Sequence, residues 1–140
     1  MIAYVDASAL LRVALRQPNA LREWRQIERG VSSALITTES LRTLDRLRLR
    51  TKLPDADVAK YRSTILALID SFELVEIDAT VLSRAAQPMP TELGTLDAIH
   101  LATALLWLEE TRLEPIMATH DEALAVGARA YGLTVIGADM

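Results

Sequence analysis

A chain of 140 residues that is 51% hydrophobic and 24% charged has the composition of one folded domain, 1–140, not of a disordered segment. Its net charge of −4 excludes a whole-surface attraction to nucleic acid and leaves only a local basic patch. It has no cysteine, which excludes disulfides and thiolate metal sites; with no signal-peptide pattern and no membrane-length apolar run, a cytoplasmic location without membrane partners is expected.

Ile2 to Val5 is a short apolar run with a β-branched residue at each end, which predicts a buried strand. It stops at Asp6, a good helix N-cap, and residues 7–16 read as a helix that Pro18 breaks. Residues 19–29 show helical spacing, with Gly30 as the stop. Val31 to Ile36 predicts a second strand. Thr37-Thr38-Glu39 reads as its junction with an amphipathic, basic helix from Ser40 to Arg50. A further helix runs from Asp55 to Ser71, and Leu74 to Ile77 is a short third strand. Asp78 caps a helix through Ala86, and Gln87 to Gly94 reads as a loop.

The most apolar helix follows, with Thr95 as its N-cap, and continues to about Glu110. Asp97 lies in its first turn, on one stripe with Leu101, Ala104, Leu105 and Leu108, so the carboxylate faces the interior. Pro115 to Thr119 predicts a fourth strand, ending in His120-Asp121 before another helix. Gly132 stops that helix, and Leu133 to Ile136 is a fifth strand. Strand and helix alternate without a hairpin signal. The expected class is α/β, with a mainly parallel sheet of about five strands.

Asp6, Glu39 and Asp121 each follow a predicted strand, and Asp97 opens a helix in the same topology. Parallel strands would bring the strand-end acids to one edge, where open α/β sheets keep their sites. Capping explains one such acid well and all of them poorly. Gathered like charges raise one another's pKa values and cost stability, a conflict that a divalent cation resolves. Oxygen ligands without cysteine suit Mg²⁺ or Mn²⁺. On carboxylates, such a cation polarises a phosphoryl oxygen and acidifies bound water.

The residues around these acids resemble a known family. Asp6 lies in Val-Asp-Ala-Ser and Glu39 in Thr-Thr-Glu-Ser. Asp97 lies in Gly-Thr-Leu-Asp-Ala-Ile-His-Leu-Ala and Asp121 in Ala-Thr-His-Asp-Glu-Ala-Leu, and Tyr-Gly-Leu-Thr-Val-Ile closes the chain. Taken in order over essentially the whole length, they resemble the PIN-domain nucleases, most closely the VapC-type ribonuclease toxins of toxin–antitoxin pairs. The resemblance implies a three-layer α/β/α fold and an Mg²⁺- or Mn²⁺-dependent endoribonuclease acting on RNA. It also implies a homodimer and a cognate VapB-like antitoxin that occupies the active-site region. It gives Asp6, Glu39 and Asp97 the primary metal shell, directly or through water. Asp121 would complete or water-link that shell, with Ser8 and Thr119 as supporting hydroxyls.

Other residues carry competing readings. Arg42, Arg46, Arg48, Arg50 and Lys52 against the single acid Asp45 form either an RNA- or antitoxin-binding patch or a solvated helix face. His100, inside an apolar helix, reads as a packed or surface histidine, not a base. His120 is better placed for substrate, yet reads as incidental. Trp24 and Trp107 read as core or dimer packing, and Glu109, Glu110 and Asp139 as solvated surface. The acidic edge also suits a PIN-type nuclease of RNA maturation, or an inactive RNA- or antitoxin-binding module. A phospho-receiver module would need a lysine after the last strand, but the two lysines are Lys52 and Lys60. A haloacid-type phosphatase would need an acid where Ser8 stands.

Overall fold

Ala3, Tyr4 and Val5 are fully buried, yet they face opposite ways. Ala3 and Val5 join one apolar cluster and Tyr4 the other. This is the alternation of a strand covered on both faces. In the computed structural model, which describes residues 1–139, that strand is β1 (Ile2–Val5) at the centre of a five-stranded sheet. β2 (Arg29–Ser33) and then β3 (Glu73–Val75) lie on one side of it. β4 (Ile116–Ala118) and then β5 (Val135–Ile136) lie on the other, and every pair is parallel. The strand order therefore reverses at β1, which makes the β1–β4 junction a topological switch point.

Helices close both faces. α1 (Ala7–Ala14), α2 (Leu35–Thr51) and α3 (Asp55–Asp70) cover one with Leu10, Leu11, Ile36, Leu44, Ile65 and Ile69. α4 (Ala79–Ala85) packs on α5 (Thr95–Thr111). α5 and α6 (Glu122–Ala130) cover the other face with Leu101, Ala104, Leu105, Leu124 and Ala128. The result is the expected three-layer α/β/α fold. Asp6, Asp78 and Asp121 start α1, α4 and α6, each accepting the backbone N–H three residues on, at 3.1, 3.0 and 2.9 Å.

Some boundaries differ from expectation. Residues 19–29 hold only a 3₁₀ turn, Trp24–Gln26, before β2 begins at Arg29. Gly30 is thus a strand residue, not a helix stop. It is small because a Cβ there would sit 2.6 Å from the Phe72 ring. β2 ends at Ser33, whose hydroxyl accepts the Leu35 N–H at 3.0 Å and helps start α2 there. Thr37 to Glu39 are therefore helical, and Glu39 lies in the second turn of α2, not directly after a strand. Gly94, not Thr95, is the N-cap residue of α5. Trp24 packs edge-on against Phe72, and Trp107 is buried in the second cluster with its indole N–H on Glu73. Glu109 is exposed yet takes both guanidinium nitrogens of Arg84, tying α4 to α5. Among the described residues, no helix is long and apolar enough to cross a membrane.

Gly137 has φ +97°, and a Cβ on it would meet the Thr119 carbonyl at 2.5 Å. Both the backbone conformation and the space exclude a side chain. Gly137→Ala should therefore cost about 1–3 kcal/mol, read as a lower urea midpoint at unchanged m-value.

Candidate active site at the carboxyl edge of the sheet

Asp6 ends the central strand and is only 5% exposed. Burying a carboxylate is costly unless it is hydrogen-bonded. One oxygen accepts the Ser8 hydroxyl at 2.7 Å and the Ala9 N–H at 3.1 Å. The other accepts the Thr119 hydroxyl at 2.6 Å. Burial still raises the Asp6 pKa, and the bonds from Thr119, Ser8 and Ala9 pull it back only in part. The two hydroxyls accept in turn. Ser8 takes the His120 N–H at 2.9 Å and Thr119 the Asp121 N–H at 3.0 Å. Asp6, Ser8, Thr119 and Asp121 thus form one bonded network across the switch point.

Glu39 and Asp97 reach the same region from helices. Asp97 is part-buried in the first turn of α5, and its carboxylate has no hydrogen-bond partner among the described residues. Its pKa is pushed up to about 6, first by burial and then by the negative charges of Asp121 and Asp6, with Glu39 adding to them. Glu39 Oε1 accepts from His100 Nε2 at 2.5 Å, and His100 Nδ1 shares a 2.7 Å hydrogen bond with the Tyr4 hydroxyl. His100 is 2% exposed and Tyr4 fully buried. Burial alone would lower the His100 pKa. The bond to Glu39 and the charges of Glu39, Asp6 and Asp97 outweigh it and raise the pKa. Burial, and then the charges of Asp6 and Glu39, push the Tyr4 pKa well above its usual value.

His100 is packed, as one of the two readings from the sequence had it, but both ring nitrogens are hydrogen-bonded, to Tyr4 and Glu39. Sequence reasoning missed both His100 and Tyr4 as site residues. The available signal was Asp97-x-x-His100, two polar groups on one face of an otherwise apolar helix. His120 donates its backbone N–H to Ser8 and places Nδ1 2.7 Å from the Gly137 carbonyl.

The acids sense one another's charge without closing into a cage. Among the described residues, no group of three or more His, Asp or Glu side chains is placed to hold a metal ion directly. Asp6 and Asp121 are turned onto backbone and hydroxyl donors, and Glu39 onto His100. Mg²⁺ keeps several of its waters and needs only one or two carboxylates. An oxygen-only donor set with an unpartnered Asp97 fits that chemistry.

The basic residues of α2 separate in space. Arg42 and Arg46 line a cleft of about 510 Å³ beside Ser8, Leu11, Glu39 and Leu96. Asp45 pairs with both Arg42, at 3.1 Å, and Arg48, at 2.9 Å, and neither Arg48 nor Arg50 lines the cleft. A larger cleft of about 660 Å³ lies by β3 and α5, far from this chemistry in character. Glu73, Glu76, Asp78, Glu109 and Glu110 line it, a charge that repels phosphate.

The parallel sheet with Asp6 and Asp121 at its switch point defines an open α/β fold with an acidic carboxyl edge. The family model described as PIN domain matches residues 3–130, and the chain belongs to the PIN domain family. It is 39% identical over 137 residues to "Ribonuclease VapC46" of Mycobacterium tuberculosis, covering 95% of each chain. It is 33% identical over 138 residues to "Ribonuclease VapC35" of the same species, covering 95% of this chain and 94% of that one. Among solved structures, a toxin–antitoxin complex from Klebsiella pneumoniae superposes with a TM-score of 0.67 at 18% identity, covering 99% of both chains. That likeness shows the fold.

The Asp97 shift fixes the sign of a pH effect. Its folded-state pKa of about 6 lies above the ordinary 3.8. The proton is held more tightly in the folded state, so this contribution to stability is full below pH 3.8 and is lost as pH rises through 6. In EDTA, Asp97→Asn should be more stable than wild type at pH 8 by roughly 1–2 kcal/mol after solvent screening. At pH 4 the gain should nearly vanish. Urea titrations at the two pH values check this, and an equal gain at both would contradict it.

Proposed function

We propose that the chain is an endoribonuclease of toxin type that hydrolyses RNA phosphodiester bonds at this acidic edge with Mg²⁺ or Mn²⁺. The observation that carries the reading is Asp97, a carboxyl pushed up to about 6 with Asp121, Asp6 and Glu39 as like-charged neighbours. Such a gathering weakens the fold and serves a cation. Asp6, Glu39 and Asp97 would hold the ion, directly or through water, with Asp121 linked through water. When bound, the ion supplies Lewis-acid polarisation of the phosphate and an acidified water. The chain's own residues do the rest. Ser8 and Thr119 fix both oxygens of Asp6, and Thr119 also holds the backbone that carries Asp121.

The names of the VapC relatives support the ribonuclease activity. The likeness to the Klebsiella toxin–antitoxin complex agrees with a VapB-like antitoxin as partner. A homodimer and a cytoplasmic location complete this reading. RNA phosphates would meet Arg42 and Arg46, the two arginines on the cleft that also contains Glu39. Arg48 and Arg50, which do not line the cleft, are the weaker candidates.

Asp6→Asn, Glu39→Gln and Asp97→Asn should each lower RNA cleavage by at least about 100-fold, because even outer partners of metal ligands cost 10–100-fold. Asn remains a good N-cap, so Asp6→Asn should keep its circular-dichroism spectrum. EDTA should stop cleavage and either ion should restore it. Wild-type rates in all three variants would overturn the reading. Separately, Arg42→Gln with Arg46→Gln should flatten the slope of log affinity against log salt for single-stranded RNA by about 1.4. The same change at Arg48 and Arg50 should move the slope less.

A further inference from the structure

Four acids meet at this edge, and three are oriented by groups near them in the chain or by a hydroxyl, or stand unbonded. Asp6 is held by Ser8, Ala9 and Thr119, and Asp121 by Leu124. Asp97 has no bonded partner among the described residues. Glu39 is the exception. It lies inside α2, where no free backbone N–H can reach it, and its single hydrogen-bond partner among the described residues is His100. His100 is itself clamped: its other ring nitrogen is bonded to Tyr4 of the central strand, and the rings meet edge-on at 5.9 Å between centroids. Three elements thus converge in one chain of bonds: β1 through Tyr4, α5 through His100 and α2 through Glu39.

The spacing on α5 adds a second constraint. Asp97 and His100 are three residues apart, so they share a face of the helix. Whatever fixes the His100 ring on Tyr4 fixes Glu39 relative to Asp97 as well. A long glutamate has rotatable bonds that the shorter aspartates lack, and each unfixed rotamer costs entropy when the side chain is used. Buried imidazole removes that freedom before any ligand arrives.

We propose that His100, anchored by Tyr4, is a positioning residue that fixes the Glu39 carboxylate beside Asp97 and so sets the cation affinity of the edge. The inference rests on the metal-dependent reading above and adds to it residues that the acid motif does not contain. His100 acts through Glu39 and touches neither ion nor RNA. Tyr4 acts through His100.

The test is Mn²⁺ titration calorimetry on the full chain, without RNA and without turnover. His100→Leu keeps an apolar side chain of similar size and removes both hydrogen bonds. It should weaken Mn²⁺ binding about 10–100-fold. Tyr4→Phe keeps the ring and removes only the hydroxyl, and should weaken binding less, in the same direction. It carries the test if His100→Leu does not fold. The decisive arm is the Glu39→Gln background, where adding Tyr4→Phe or His100→Leu should cost no further affinity. A merely structural histidine would lower the melting temperature equally in both backgrounds and leave Mn²⁺ affinity alone. Wild-type affinity in folded Tyr4→Phe and His100→Leu chains would overturn the proposal, as would an additive loss in the Glu39→Gln background. A wild-type chain that binds no Mn²⁺ would overturn the metal reading, and the positioning role with it. A wild-type chain that binds Mn²⁺ with unaffected variants would overturn only the positioning role.

Discussion

The bond between the Thr119 hydroxyl and Asp6 joins the ends of β1 and β4 where the strand order reverses. A charge at the end of a fully buried strand is among the least favourable things a core can contain. Here both oxygens are supplied with donors, and the donors come from two different elements. Ser8 and Ala9 belong to α1, and Thr119 follows β4. Holding Asp6 therefore also fixes how α1 leaves β1 and how the chain leaves β4. Gly137 passes against the Thr119 carbonyl so closely that no side chain fits, which brings the end of β5 into the same arrangement. The hydroxyls pass the order on, because each donates to Asp6 and accepts from the backbone that leads to α6.

The four acids are held by unequal means, and that inequality explains their electrostatics. Asp6 and Asp121 are N-caps, where helix dipoles favour negative charge. Asp97 lies in the first turn of its helix, so it shares that dipole but lacks a bonded donor, and burial with like charge raises its pKa most visibly. Glu39 is answered by His100, whose own pKa is raised by these acids. When protonated, the His100 imidazole bonded to Glu39 offsets part of that repulsion from within the fold. The edge is thus preorganised, with its charges spread over donors from α1, the end of β4, α5 and α6.

Much of this was legible in the sequence, for local reasons. Strand-to-helix junctions at Asp6, Asp78 and Asp121 follow from apolar runs that end in a capping residue, and all three cap as expected. Long amphipathic helices such as α3 declare their own period. Glu39 was misplaced by a turn because Thr37-Thr38 has weak helix propensity, while the signal that overrode it, the Ser33 hydroxyl on Leu35, is a capping contact at a strand end. The role of His100 was only hinted at by its own neighbourhood, through its i, i+3 spacing from Asp97. Its partners are Tyr4 and Glu39, 96 and 61 residues away in the chain. A polar atom that makes sense only through long-range partners looks, in a local window, like a packing residue.

The same limit governs the arginines, and it bears on how an acidic chain can approach RNA. Counted in sequence, Arg42, Arg46, Arg48 and Arg50 form one basic run. On the helix they divide, because 39, 42 and 46 are spaced by three and four and so share the stripe that lines the cleft, while Arg48 and Arg50 lie off it. The stripe starts with a carboxylate of the acidic edge and continues with two exposed guanidinium groups. Seven residues of helix separate Glu39 from Arg46, a rise of roughly 10 Å. That distance exceeds the separation of adjacent phosphates along one strand and is close to a Debye length at physiological salt. On the proposed reading, repulsion from the acids and attraction by the arginines would act on different phosphates of one RNA strand, so a net charge of −4 need not oppose binding along this stripe.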